Sequence, residues 1–333
     1  MNLKSIIICF TMVLPITSCA KQEQSQSQSQ SQNKQSEKFF SLAEIKNAPK
    51  KLLQPLEYIQ ATDGISLAYR SYLPQHPKAI LIFYHGAGAH SGLSYKYIGT
   101  GLRDDFDIAV YMPDIRGHGG SEGDRGDTPN VEQVWHDINT IVKTARTKNP
   151  TLPIFIGGHS AGAGLALNYS SWNEKADIEG FTFIAPYFGY RSETNYDEKE
   201  NRGFEFSKVK ISDFVINTMS GGLFLGHSKA VKFNFPDAVL QANPGIVTFN
   251  TVNMANAVTP HSPESQFSGL KKFGLWIGKQ DEAFDPFKVI TFAKENSDSK
   301  DENVIKVVDN ANHFSIILNA PNLIGLWLQK TIE

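Results

Sequence analysis

The stretch Ile154–Leu167, IFIGGHSAGAGLAL, constrains the fold more than any other part of the chain. It begins as a short apolar run of strand type, turns through glycines, and leaves as a helix-forming run. At the turn, Gly158-His159-Ser160-Ala161-Gly162 fits the pattern G-x-S-x-G. A serine held between strand and helix takes a strained backbone conformation, and small residues two before and two after it let the two segments approach without clash. Its Oγ then stands clear of the sheet. The helix N-terminus behind it offers N–H groups and positive potential to a developing oxyanion. Five-residue patterns also arise by chance in ordinary strand-to-helix turns; the strand–turn–helix context is what marks Ser160 as a candidate nucleophile.

The chain of 333 residues can bury a large core, and an α/β fold can use most of that length as one domain. Lys and Arg total 32 against 34 Asp and Glu, a net charge of −2. No basic face or tail points to nucleic acid. The two cysteines, Cys9 and Cys19, both lie at the extreme N-terminus, so the body has no disulfide and no thiolate metal site.

Residues 1–18 have the layout of an export signal. Lys4 supplies positive charge, and the apolar run Ile6–Ile16, broken by Pro15, is too short for a comfortable membrane span. Leu14-Pro15-Ile16-Thr17-Ser18-Cys19 resembles the bacterial lipobox, in which small residues precede a cysteine. The resemblance implies cleavage before Cys19 and lipid attachment there; a plain secretory signal is the alternative. Several acyl chains anchor stably where one would not. Ala20 is not the aspartate linked to inner-membrane retention, so the expected location is the cell envelope, at the outer membrane rather than the inner. Residues 19–38 hold the lipid site and KQEQSQSQSQSQNKQSEK, a Gln/Ser tether too polar to offset the entropy of ordering. In the extension 39–55, Ser41 with Glu44 three residues on predicts a capped short helix closed by Pro49.

Residues 56–333 read as the main domain. Leu56–Gln60 and Ile65–Tyr72 around Thr62-Asp63-Gly64 predict a β-hairpin. Ala79–Tyr84 is a continuous apolar run, as in a strand buried on both faces, and ends in HGAGAHS. Asp107–Met112 is a further strand followed by PDIRGHGGSEG. Thr128 and Pro129 suit the N-cap and first position of a helix whose face carries Val131, Val134, Trp135, Ile138, Ile141, Val142 and Ala145. Phe181–Ala185, Phe273–Ile277 and Val304–Val308 predict later strands, with helices from about Pro286 and Phe314. Strands alternating with helices argue for a mostly parallel sheet covered on both faces. Between them, about 186–268 is Phe-, Gly- and Asn-rich and loses the pattern; a structureless loop that long is implausible, so a cap over the sheet is expected.

Chain order tests the serine. On an α/β-hydrolase sheet the acid follows a later strand and the histidine the last one. Asp281 follows Phe273–Ile277 and His313 follows Val304–Val308, so Asp281 would orient the ring and His313 would take the proton from Ser160. Glu282, Asp285 and Asp309 are rival acids; Asp281 comes first after its strand, and Asp285 before Pro286 suits a helix cap. The N–H groups of Ala87 and Ala161 would form an oxyanion hole, with a glycine-rich turn of no catalytic role as the alternative reading of the former. No phosphate-loop pattern occurs, and His85, His118 and His159 lack zinc spacing; no metal is assigned.

HGAGAHS, PDIRGHGGSEG, GGHSAG, GKQDEAFDP and NANHF together resemble the α/β-hydrolase branch that holds monoacylglycerol lipases and lysophospholipases. The resemblance implies an eight-stranded sheet, a Ser160–Asp281–His313 triad, Ala87 and Ala161 as oxyanion donors, and no cofactor. Ala89 and Ala161 depart from it, since those lipases commonly carry an acidic residue and a bulky one there. The expected function is membrane-anchored hydrolysis of a small-molecule, lipid-like single-acyl ester, of monoacylglycerol or lysophospholipid type, through an acyl-enzyme on Ser160. The alternatives are an aminopeptidase or amidase, for which Glu193, Asp197, Glu198, Glu200 and Glu205 could bind an α-amine, or a non-catalytic envelope lipoprotein.

Overall fold

A computed structural model describes residues 40–197, 205–298 and 302–333. The expected export signal, Cys19 and the Gln/Ser tether lie outside the described residues, as do Glu198 and Glu200. The chain runs α1 (Ala43–Asn47), β1 (Glu57–Gln60), β2 (Ser66–Tyr72), β3 (Ala79–Tyr84), α2 (Lys96–Phe106), β4 (Ile108–Pro113), α3 (Val131–Lys148), β5 (Ile154–His159), α4 (Ala161–Ser170) and β6 (Gly180–Ile184). It continues with β7 (Ser207–Val209), α5 (Ile211–Met219), β8 (Lys229–Phe233), α6 (Asp237–Ala242), β9 (Phe249–Thr251), α7 (Val252–Val258) and α8 (Pro263–Ser268). Last come β10 (Phe273–Gly278), α9 (Pro286–Glu295), β11 (Val304–Val308) and α10 (Ile316–Ile332).

Eight strands form one sheet in the order β1-β2-β4-β3-β5-β6-β10-β11. Only the pairings of β2 are antiparallel. Its central strands are buried along their whole length and mostly apolar because both faces are covered. Along β3 the two-residue period sends Ile80, Ile82 and Tyr84 into a core shared with α3, α4 and α9, and Ala79, Leu81 and Phe83 into one shared with α2 and α10.

Two helix starts differ from the sequence reading. The Asn130 side chain caps α3 by accepting from Gln133 N at 2.8 Å, while Thr128 Oγ1 is spent on the Asn130 carbonyl at 2.9 Å. Asn at this position satisfies an orphan helix donor as well as Thr does. No side chain caps α1, and the Ser41 N–H instead reaches Glu282 at 3.0 Å. The sequence pattern did not announce α2, because Gly99 and Gly101 stand on its packed face. A Cβ on Gly99 would lie 2.4 Å from the Tyr72 ring, and one on Gly101 2.6 Å from Pro321.

The segment between β6 and β10 divides in use. Phe188, Met254, Ala257 and Phe267 join the main core, and Asn168 of α4 bonds the carbonyls of Asn256 and Ala257 in α7, each at 3.0 Å. Its middle forms a separate antiparallel sheet, β7-β8-β9, bearing α5. Helix α5 turns polar Asp213 and Asn217 inward and leaves Ile211, Val215, Ile216 and Met219 exposed.

The PDIRGHG turn after β4 is fixed by charge. Arg116 is buried, with Nε 2.6 Å from Asp137 Oδ2 and Nη1 2.9 Å from Asp63 Oδ2. Removing the guanidinium strands a buried carboxylate. Arg116→Ala should therefore cost about 3–5 kcal/mol, read as a lower urea midpoint at an unchanged slope.

Candidate active site

Ser160 sits where β5 meets α4, at φ 55° and ψ −120°. This strained backbone is sustained by close packing on both sides. A Cβ on Gly158 would stand 2.3 Å from the Gly162 carbonyl carbon, and one on Gly162 2.3 Å from the Tyr84 carbonyl oxygen. Only glycine fits at either place. The Ser160 N–H donates to the Ile184 carbonyl at 3.0 Å, and its own carbonyl accepts from Ala163 and Gly164 in the first turn of α4. Ser160 is half-buried.

Asp281 and His313 arrive from the ends of β10 and β11. A Cβ on Gly278 would meet the Ala311 carbonyl oxygen at 2.3 Å, so the two loops cross in contact. His313 Nδ1 donates to Asp281 Oδ2 at 2.8 Å, and both side chains are buried. The other oxygen, Asp281 Oδ1, accepts the N–H groups of Ala283 and Phe284 at 2.8 and 2.9 Å. That carboxylate is thus fixed in rotation and aimed at the imidazole.

The rival acids are all engaged elsewhere. Glu282 accepts the N–H of His313 on Oε2 and that of Ser41 on Oε1, each at 3.0 Å. Asp285 caps α9 through Phe287 N and Lys288 N, and exposed Asp309 pairs with Lys279 at 3.0 Å.

A chain of neutral hydrogen bonds joins three loops. Gly86 N–H donates to Tyr95 Oη at 2.8 Å, and Tyr95 Oη–H donates to His159 Nδ1 at 3.1 Å. His159 Nε2–H then donates to the His313 carbonyl at 2.8 Å. These partners set the tautomer of His159. Its ring lies 4.7 Å from that of His313. The structure therefore brings Asp281 and His313 into direct contact and places Ser160 beside a ring packed on His313. The turn carrying Ala87 lies against the serine, since a Cβ on Gly86 would be 3.3 Å from Ser160 Cβ. Asp114 holds that turn to the next loop by accepting from Ser91 N and Gly120 N at 2.6 and 2.8 Å. Ala161 is the first residue of α4. Sequence reasoning gave no sign of Tyr95, and took Glu282 as a competitor when it braces the histidine loop.

His85, His118 and His159 are structural in their contacts. His85 Nδ1–H donates to the Gly86 carbonyl at 2.9 Å, Nε2 accepts from Ile115 N at 3.1 Å, and His118 bonds the Arg116 carbonyl at 3.0 Å. Among the described residues no cluster of His, Cys, Asp and Glu could hold a metal ion.

These features define the α/β-hydrolase fold, and the chain has it. Residues 75–216 match the family model described as serine aminopeptidase, S33. By sequence the chain is similar to human monoglyceride lipase, 32% identical over 134 residues, which is 40% of this chain and 43% of the relative. It is also similar to a monoacylglycerol lipase of Mycolicibacterium smegmatis, 30% identical over 32% of this chain and 38% of the relative. The chain spans less than half the length of these curated relatives. In structure it resembles the monoglyceride lipase of Saccharomyces cerevisiae, with TM-score 0.62, 18% identity, and coverage of 85% of this chain and 99% of that one. A carboxyl esterase from Bacillus coagulans matches with TM-score 0.60 at 15% identity, covering 85% of this chain and 100% of that one.

Burial holds the imidazoles of His85 and His118 down to about 3, and that of His159 well below its usual range. All three stay neutral in the folded protein while the unfolded chain protonates them near 6.5. The unfolded state then binds more protons, so stability falls as pH drops below about 6.5, by up to ~1.4 kcal/mol per pH unit for each histidine. Urea unfolding between pH 7 and 4.5 should show this slope, and His118→Gln should flatten it by one histidine's share.

Proposed function

We propose that the protein is a serine carboxylester hydrolase that cleaves lipid-like single-acyl esters, of monoacylglycerol or lysophospholipid type, through an acyl-enzyme on Ser160. The observation that carries this reading is the Ser160 backbone at φ 55°, ψ −120°, beside the buried Asp281–His313 pair at 2.8 Å. His313 would remove the Oγ proton as Ser160 attacks the ester carbonyl. Asp281 would hold the ring and stabilise the imidazolium. The tetrahedral oxyanion would be received by the N–H groups of Ala161, at the positive end of α4, and Ala87. The imidazolium would then protonate the departing alcohol, and water, deprotonated by the same ring, would release the acid.

The single-acyl lipid class is supported by the likeness to monoglyceride lipases and to a Bacillus subtilis protein named phospholipase YtpA. The exposed apolar face of α5 and its following loop, with Met219, Leu223 and Phe224, suits a site that meets its substrate at a lipid surface. Export and lipidation at Cys19 belong to the same proposal and would keep the enzyme at the envelope membrane.

The description of the matched family model favours peptide cleavage as a second reading. An α-amine needs a free carboxylate near the serine. Among the described acids named for that role, Asp197 is paired with Lys288 at 2.6 Å and Glu205 with Lys208 at 3.5 Å, so neither is free to take it.

The test is hydrolysis of p-nitrophenyl esters from acetate to palmitate beside amino-acid p-nitroanilides. Ester turnover, absent in Ser160→Ala, is expected, with an optimum at medium or long acyl chains. Asp281→Asn should lower kcat by roughly 10⁴-fold, whereas Asp309→Asn should leave it unchanged. Cleavage of the anilides alone would favour the peptidase.

A further inference from the structure

Phe40, which precedes the first helix, is 5% exposed and packs on the histidine of the site. Its ring stacks on the His313 imidazole with centroids 4.8 Å apart and planes at 20°. It meets Phe314 edge-on at 4.9 Å and Phe206 of the cap at 5.2 Å. Phe206 in turn packs on Phe233 and Phe235 at 5.5 and 5.2 Å. The next residue is clamped from two sides. Ser41 N–H donates to Glu282 Oε1 at 3.0 Å, and the Ser41 carbonyl accepts from Asn312 Nδ2 at 3.2 Å. Glu282 Oε2 takes the N–H of His313 itself. One carboxylate thus ties the N-terminal strap and the histidine loop to the loop that bears Asp281.

An imidazole that shuttles protons between a serine and a leaving group must keep its plane while its charge changes. The Asp281 bond fixes one edge of the ring and leaves its two faces to be held by packing. The flat Phe40 ring stacks on the imidazole, the His159 ring lies 4.7 Å from it and Phe284 stands edge-on at 5.4 Å, so its plane is held by packing in which Phe40 is the stacked member. We infer that Phe40 is a positioning residue for His313, and that the Phe40–Ser41 strap couples the aromatic cluster of the cap to the base of the triad. The inference rests on the hydrolase reading above. It makes the segment before the main domain part of the active-site scaffold.

The experiment compares full-length wild type with Phe40→Ala, Phe40→Leu and Phe40→Tyr on p-nitrophenyl acetate and octanoate, with thermal unfolding of each. Phe40→Ala should lower kcat by roughly 10-fold to 100-fold on both esters, with KM within about two-fold. Phe40→Leu keeps apolar bulk, and so the fold, without a stacking plane; it should share the loss. Phe40→Tyr should restore kcat to within about two-fold of wild type. Wild-type kcat in Phe40→Leu would overturn the inference, as would a loss confined to octanoate KM, which would make Phe40 a wall of the acyl site. A kcat loss matched by loss of folded protein in Phe40→Leu would overturn it too. If wild type itself hydrolyses neither ester, the hydrolase reading fails and the inference falls with it; an active wild type beside unaffected variants sinks the inference alone.

Discussion

The constraint on which the site rests is the crossing of strand β5, helix α4 and the end of β3 around Ser160. Gly158 lies against the Gly162 backbone, Gly162 lies against the Tyr84 carbonyl, and the serine between them is held at positive φ. A non-glycine residue there is strained, of order 1–3 kcal/mol. Here the surrounding sheet over-determines it: the Ser160 N–H is bound to Ile184 of β6 and its carbonyl to the first turn of α4. The other features of the site are arranged about this point, because the loop after β3 comes from the adjacent strand and those after β10 and β11 come from beyond β6 on the other side.

Those loops are joined by neutral groups in a dry interior. Tyr95 and His159 pass hydrogen bonds from Gly86 to the His313 carbonyl without a net charge. A charged link would carry a large desolvation cost there. The carboxyl groups here are held by backbone N–H groups: Asp281 by those of Ala283 and Phe284 beside its bond to His313, and Glu282 by those of Ser41 and His313. Backbone donors do not reorganise when the imidazole changes charge, which is the physical sense in which such a site is ready before substrate arrives.

Much of the sheet was legible in the sequence because its strands are buried on both faces. Ala79–Tyr84 could be bounded from its apolar run alone, whereas the edge strand Val304–Val308 is half-buried and carries exposed Lys306. Ser160, Asp281 and His313 stood out as candidates because the strand ends that carry them occur in a fixed order, and the fold brings Asp281 and His313 into contact. Helix α2 could not be picked out, since glycines occupy the positions where a hydrophobic stripe would show. Nor could the contacts of Phe40, Tyr95 and Glu282, whose partners are remote in sequence: Ser41 lies 241 residues from Glu282, and Tyr95 lies 64 from His159. The segment between β6 and β10 carried the weakest signal because α5 is inverted, with Asp213 and Asn217 inside and its aliphatic residues outside. Hydrophobic periodicity assigns such a helix the wrong inner face.

The central claim is that Ser160 is a nucleophile activated by its neighbours. Its most direct test is peptide-level mass spectrometry of the folded protein after treatment with a fluorophosphonate. The account predicts a single phosphonyl adduct on Ser160, absent in Ser160→Ala. A folded protein that takes up no label, or takes it at another residue, would contradict it.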